Sequence, residues 1–178
     1  VTNTNDSGAG SLRQAILDAN GTAGADDIAF DAAVTGTITL ASEPPTVSED
    51  LDIAGPGALV LTVSGNNAFR VFRIGLGVTV TISGLTIANG KNVDLGGGGI
   101  FNHGTLTISN STLSGNSTLL TTGGGAIFNN IFSTLTITSS MLSGNSATFN
   151  GGGIYNLGVL TINSSTLSVH SVGNEGGG

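Results

Sequence analysis

The chain has 178 residues, a net charge of −7 and only 8% charged side chains, against about 25% in ordinary domains. Its four basic residues, Arg13, Arg70, Arg73 and Lys91, cannot build the basic stripe that nucleic acid requires, and the same deficit disfavours an anionic membrane surface. Cysteine is absent, which excludes disulfides and thiolate metal sites, and no apolar run approaches the ~20 residues of a membrane-spanning helix.

Residues 1–27 differ in pattern from the rest of the chain. SLRQAILDANG places Ser11 and Gln14 at capping-box spacing, Leu12 and Ile16 one turn apart, and Asn20-Gly21 as a stop. This predicts a short amphipathic helix over 12–19 that turns Leu12, Ala15, Ile16 and Ala19 inward. Beyond it lie short β-prone runs at 28–30, 37–40, 51–53, 59–64, 69–74, 78–82 and 85–88, separated by Gly, Pro, Asn and Asp. Pro44-Pro45 marks a loop or edge, because proline cannot donate to a central ladder. The run AFRVFRI does not alternate cleanly and suggests a bulge near 69–74.

The second half repeats. GGGIFNHGTLTISNSTLSGNS begins at Gly97, GGGAIFNNIFSTLTITSSMLSGNSA at Gly123, GGGIYNLGVLTINSSTLS at Gly151, and a fourth GGG occupies 176–178. Ile82, Ile108, Ile137 and Ile162 recur every 25–29 residues, a period typical of solenoids. In each copy Leu and Ile alternate with Thr, as in Thr105-Leu106-Thr107-Ile108, and Leu135/Ile137 and Leu160/Ile162 repeat that inward pair. Further inward rows run Val63, Ile87, Leu113, Leu142, Leu167 and Ile100, Ile127, Ile154. Three strands per period describe a parallel β-helix over 28–178, about five or six coils stacked at about 4.8 Å, with residues 1–27 as its N-terminal cap.

The turns carry rows of their own. Asn66, Asn116 and Asn145 follow Gly, and Asn102, Asn129 and Asn156 follow the aromatic position, so both sets are expected to form axial amide ladders. Val169-His170 replaces Gly-Asn and should break the first ladder. Phe101, Phe128 and Tyr155 should stack, on the outward side if alternation is simple. The Gly triplets suit tight corners or close coil-to-coil approach.

These motifs resemble the repeat-rich parallel β-helix proteins of bacterial surfaces, of the polymorphic-outer-membrane-protein type. The opening VTNTNDSGAGSLRQAILDAN is similar to their N-terminal cap, followed by Ile28-Ala29-Phe30 and Ile38-Thr39-Leu40. The resemblance implies a right-handed coil, in keeping with the general crossover preference, and an exported, cell-surface or extracellular location.

Chemistry is sparse. From Leu95 to Asn174 there is no Asp, Glu, Lys or Arg, so the repeats lack the carboxylate pairs of glycosidases and the basic residues of lyases. Glu49, Asp50 and Asp52, with Arg70 and Arg73 about one coil later, read as a solvated ion-pair patch. Asp26, Asp27 and Asp31 could gather oxygens around calcium, although no calcium motif is present. His103 and His170 have no acidic neighbour in sequence, and the Gly runs lack the Lys-Ser/Thr of a phosphate loop. Asn110, Asn116 and Asn163 head glycosylation sequons, as do Asn5 and Asn20. Neither a catalytic residue, a metal nor a cofactor is expected.

The reading is a non-enzymatic structural protein: a stalk, or a filament subunit stacking head-to-tail through an open C-terminal end, or part of a longer surface protein. An adhesin that binds a host or polysaccharide surface is the alternative. The rows Thr79/Thr81, Thr105/Thr107 and Thr134/Thr136 keep an ice-binding face in view, against which the irregular repeat lengths weigh, and a carbohydrate-active enzyme stands last.

Overall fold

The structure, a computed structural model, describes residues 1–92, 96–119 and 123–173; the final Gly triplet lies outside them. Helix α1 (Leu12–Asn20) opens with Ser11, whose Oγ accepts the Gln14 N–H at 3.1 Å. The Gln14 side chain donates to Asp18 instead of returning to the cap, so only half of the expected box forms. Leu12, Ile16 and Ala19 are buried in the interior that continues into the strands. The segment before α1 is tied down by Arg13, which meets Asp6 at 2.8 Å and donates to the carbonyls of Ser42 and Glu43. Burial opposes ionisation of Asp6, but the Arg13 hydrogen bond, the Ala41 N–H and the Arg13 charge together hold its carboxyl below the usual value.

Short strands then wind in sequence. The first turn holds β1 (Asp26–Ala29) and β2 (Gly36–Thr39); the second holds β3 (Leu51–Ala54), β4 (Leu61–Ser64) and β5 (Phe72–Ile74). The third turn holds β6 (Thr79–Ser83), β7 (Thr86–Ala88), β8 (Lys91–Asn92) and β9 (Ile100–Asn102). In the fourth are β10 (Thr105–Ser109), β11 (Thr112–Ser114), β12 (Ser117–Thr118) and β13 (Ile127–Asn129). The fifth has β14 (Thr134–Thr138), β15 (Met141–Ser143), β16 (Ser146–Ala147) and β17 (Ile154–Asn156), and β18 (Val159–Asn163), β19 (Thr166–Ser168) and β20 (Ser171–Val172) begin the sixth. Thus β1 starts at Asp26, just inside the segment expected to be cap.

Equivalent strands pair in parallel, giving the expected all-β solenoid. Two sheets are six strands deep, β1-β3-β6-β10-β14-β18 and β2-β4-β7-β11-β15-β19. A third, β5-β9-β13-β17, completes the three expected faces. The structure adds a fourth, β8-β12-β16-β20, made of two-residue strands too short to show a period in sequence. At 69–74 the N–H groups of Val71 and Phe72 both donate to Gly99 O, which accounts for the broken alternation there.

The inward rows stack as their spacing implies. Ile28, Ile53, Ile82, Ile108, Ile137 and Ile162 share one register position, and Ile38, Val63, Ile87, Leu113, Leu142 and Leu167 another. Ile82, Ile108, Ile137, Ile87, Leu113 and Leu142 are 0% exposed, each stabilising the folded chain by about 1.5–3 kcal/mol through removal of apolar surface from water.

Differences in repeat length are absorbed at corners and leave strand register intact. Residues 75–78 and 130–133 form matching turns, where β6–β10 and β9–β13 pairing leaves a corner of only His103-Gly104 between β9 and β10. Gly77 takes the left-handed position of the first turn at φ 77°, but Phe132 takes it in the second at φ 63°, with 94% of its surface exposed. A bulky side chain is strained there. Phe132→Gly is expected to raise stability by about 0.5–1 kcal/mol after the added freedom of the unfolded glycine is subtracted. Urea melts of the two proteins check this, and a loss of stability would mean that Phe132 makes contacts outweighing its strain.

Candidate functional site

Polar side chains inside the coil stack in axial ladders, each built on a corner that exposes backbone groups to the interior. Where the third sheet turns toward the first, Asn102 Nδ2 donates to Asn129 Oδ1 at 2.7 Å, and Asn129 Nδ2 to Asn156 Oδ1 at 2.6 Å. The same amides donate to the Thr134 and Val159 carbonyls at 3.0 Å, so each Asn satisfies the next coil as well as its own ladder. Asn102 and Asn129 are fully buried, and Asn156 is exposed. The ladder begins at Asn102 because its partner one coil earlier is Ile74, a core residue.

The Gly-Asn ladder departs from expectation at its start. Asn116 N–H and Nδ2 both donate to Asn145 Oδ1, at 2.9 and 3.0 Å, and Gly90 N–H donates to Asn116 Oδ1 at 2.8 Å. Asn66 is not a member. It is exposed at φ 56° beside Asn67 at φ 54°, in a loop where Ala68 and Phe69 both donate to Gly65 O. The physical reason is local: two consecutive left-handed Asn residues swing the chain outward, and Gly90 has no side chain to carry a ladder back to them. His170 occupies the last rung, where its Nδ1 accepts the Asn145 N–H at 3.4 Å. The amide–amide row does end there, but the backbone contact continues.

A serine ladder escaped the sequence reading. Leu85 N–H donates to Ser111 Oγ at 3.4 Å, Ser111 N–H to Ser140 Oγ at 3.2 Å, and Ser140 N–H to Ser165 Oγ at 3.1 Å. Each Ser follows a left-handed Asn110, Ser139 or Ser164. Its signal was the constant offset from Ile108, Ile137 and Ile162, hidden by the abundance of serine.

The aromatic row forms. Phe101 and Phe128 stack at 5.3 Å with planes 2° apart, and Tyr155 follows at 5.5 Å, tilted by 42°. Phe101 and Phe128 are buried yet stand outside the interior aliphatic cluster, as alternation from Ile100 and Ile127 implies. Arg70 and Arg73 lie over the Phe101 ring at 5.4 and 5.5 Å.

The expected charge patch is rearranged. Arg70 pairs with Glu43 at 2.9 Å and donates to Gly97 O, and Asp50 caps the Thr79 N–H. Burial of the Arg70 side chain explains this, since a buried guanidinium needs carbonyl and carboxylate acceptors at once. Asp26 and Asp27 line a cavity of about 300 Å³ between α1 and β1, together with Val1, Asp18 and Thr22. Asp31 lies elsewhere, accepting the Ala33 N–H, so the three carboxylates considered for calcium do not converge. Among the described residues no group of three or more His, Cys, Asp or Glu is placed to hold a metal, and no helix is long and apolar enough to cross a membrane. The sequons at Asn110 and Asn163 are exposed, whereas Asn116 is fully buried with its amide nitrogen bonded to Ile87 O, which closes that sequon in the folded chain.

At the far end, β18, β19 and β20 each pair on one side only among the described residues. Ile162 and Leu167 are 38% and 41% exposed there, where their counterparts Ile137 and Leu142 are fully buried. Among the described residues this edge therefore carries both unpaired backbone groups and apolar surface. No family model, curated protein or solved structure matches the chain. Its geometry is therefore the ground for a functional reading.

Proposed function

We propose that the chain is a non-enzymatic structural β-solenoid of an exported surface or extracellular protein, a stalk segment or filament subunit whose open edge receives another copy head-to-tail. The exposure of Ile162 and Leu167 on the one-sided strands β18 and β19 carries this reading. Such an edge is a template for further pairing, and a head-to-tail contact that does not close generates a filament. The coils leading to it contain no Asp, Glu, Lys or Arg from residue 96 to 173, so rods approach one another there without charge repulsion. At the other end α1 seals the interior, with Leu17 exposed on the helix.

Negative-stain electron microscopy and sedimentation of the purified chain test the proposal. End-to-end oligomers that grow with concentration are expected, and Ile162→Lys with Leu167→Lys should abolish them while leaving the thermal melt nearly unchanged, since both side chains are already part-exposed. Dispersed wild-type monomers at high concentration would overturn it.

One observation favours a second reading. Thr81, Thr107, Thr136 and Thr161 hold unbroken register, as do Thr79, Thr105 and Thr134. The irregular repeat lengths thus leave a regular hydroxyl face at about 4.8 Å spacing, suited to an ordered uncharged surface such as ice. Unshaped ice crystals grown with the protein would remove this reading.

A further inference from the structure

The last rung of the Gly-Asn ladder differs in kind from the rungs before it. Asn116 and Asn145 each accept the preceding rung's N–H and also donate Nδ2 to a carbonyl of the coil before, Ile87 O at 3.0 Å and Leu113 O at 2.9 Å. His170 reproduces only the first contact: Nδ1 accepts Asn145 N–H, and Nε2 is buried without a partner. Its imidazole lies against Gly153, where even a Cβ would come within 2.6–2.7 Å of the ring. The ring is thus confined by backbone on one side and bound to an N–H on the other.

That contact requires a particular protonation state. Nδ1 accepts only when it carries no proton, so the neutral tautomer has its proton on Nε2. Protonation turns Nδ1 into a second donor facing the Asn145 N–H. Among the described residues no charge packed against the ring compensates the imidazolium: β15, β16, β19, β20 and Gly152-Gly153 carry no titratable side chain, and β17 carries only Tyr155. From residue 96 to 173 the remaining titratable side chain is His103, in the corner after β9.

We propose that His170 makes the terminal rung acid-labile, so that acidification releases β19 and β20 and dismantles the edge on which the next copy stacks. This rests on the stacking reading for its consequence, though not for its chemistry. Burial lowers the affinity of His170 for a proton below that of an ordinary imidazole, at 6.5. The sign follows from linkage. The folded chain binds the proton less readily than the unfolded one, so the stabilisation is fully present above pH 6.5 and is lost as pH falls from there through the lower folded value.

Amide hydrogen exchange of the full chain from pH 8 to pH 5, expressed as protection factors, tests the inference, with sedimentation run on the same samples. Protection at Asn145, Ser171 and Gly173, whose N–H groups bond to His170 Nδ1, Asn145 O and Ala147 O, is expected to fall at least tenfold on acidification in the wild type and to stay level in His170→Asn, with His170→Gln as the second neutral variant. Level protection in the wild type, or an equal acid response in both variants, would overturn it. If protection switches as expected but no oligomer forms at any pH, the stacking reading fails and the His170 switch stands.

Discussion

Replacing Asn145 with alanine is expected to destabilise the chain by about 3 kcal/mol, because it strands several buried groups at once. Asn145 is fully buried, and its Oδ1 accepts both the backbone N–H and the Nδ2 of Asn116. Its Nδ2 covers Leu113 O at 2.9 Å. Alanine leaves the Asn116 N–H without an acceptor in an interior that water does not reach, and each such group costs about 1–3 kcal/mol. At this chain length the loss corresponds to a fall of about 6–12 °C in melting temperature. Asn66→Ala is the comparison, since Asn66 is exposed and its side chain bears no ladder bond, so its melt should shift only by the left-handed preference that alanine lacks at φ 56°, about 1 kcal/mol. Because solenoid coils couple mainly to their neighbours, hydrogen exchange should show the loss concentrated between β10 and β20. An Asn145→Ala melt equal to that of Asn66→Ala would show that the ladder does not stabilise the coil.

The contrast between those two asparagines also shows what could be read from sequence. The inward aliphatic rows were legible because two periods reinforce one another, alternation within a strand and the 25–29-residue step between strands. Residues such as Ile108 and Ile137 satisfy both, and the structure pairs them directly. A Gly-Asn pair satisfies neither period by itself. It places Asn116 and Asn145 on a ladder, yet the same dipeptide at 65–66 opens a loop, because the residues after it, Asn67 and Ala68, continue the turn. The serine ladder and the fourth face were hidden for related reasons, serine being abundant throughout the chain and the strands of the fourth face, at two residues, too short to alternate. Charge pairing failed differently. Arg70 was close in sequence register to several acids, but its burial selected Glu43 and carbonyls over the nearer-seeming Asp50 and Asp52.

The corners distinguish two demands that glycine meets, and the second large effect isolates them. Gly125→Ala is expected to cost several kcal/mol, in the manner of overpacking against atoms that cannot retreat. A Cβ at Gly125 would overlap the carbonyl oxygens of Gly152 and Ser146, which are backbone atoms of the next winding, and Gly125 is not among the positive-φ residues, so crowding alone is tested. Gly144 is the converse, with φ 61° and open space where a Cβ would stand, so Gly144→Ala should lose only the left-handed preference, about 1–2 kcal/mol. The chain makes a related substitution itself: Val169 holds the position equivalent to Gly144, at φ 55° and 84% exposed, one residue before His170. Backbone strain therefore accompanies the weakest rung, on the winding whose apolar residues remain exposed. Comparing urea melts of Gly125→Ala, Gly144→Ala and the parent decides the point. If Gly125→Ala costs more, that glycine is the clearance that lets successive windings close onto one another; if it costs no more than Gly144→Ala, crowding at that corner does not require glycine.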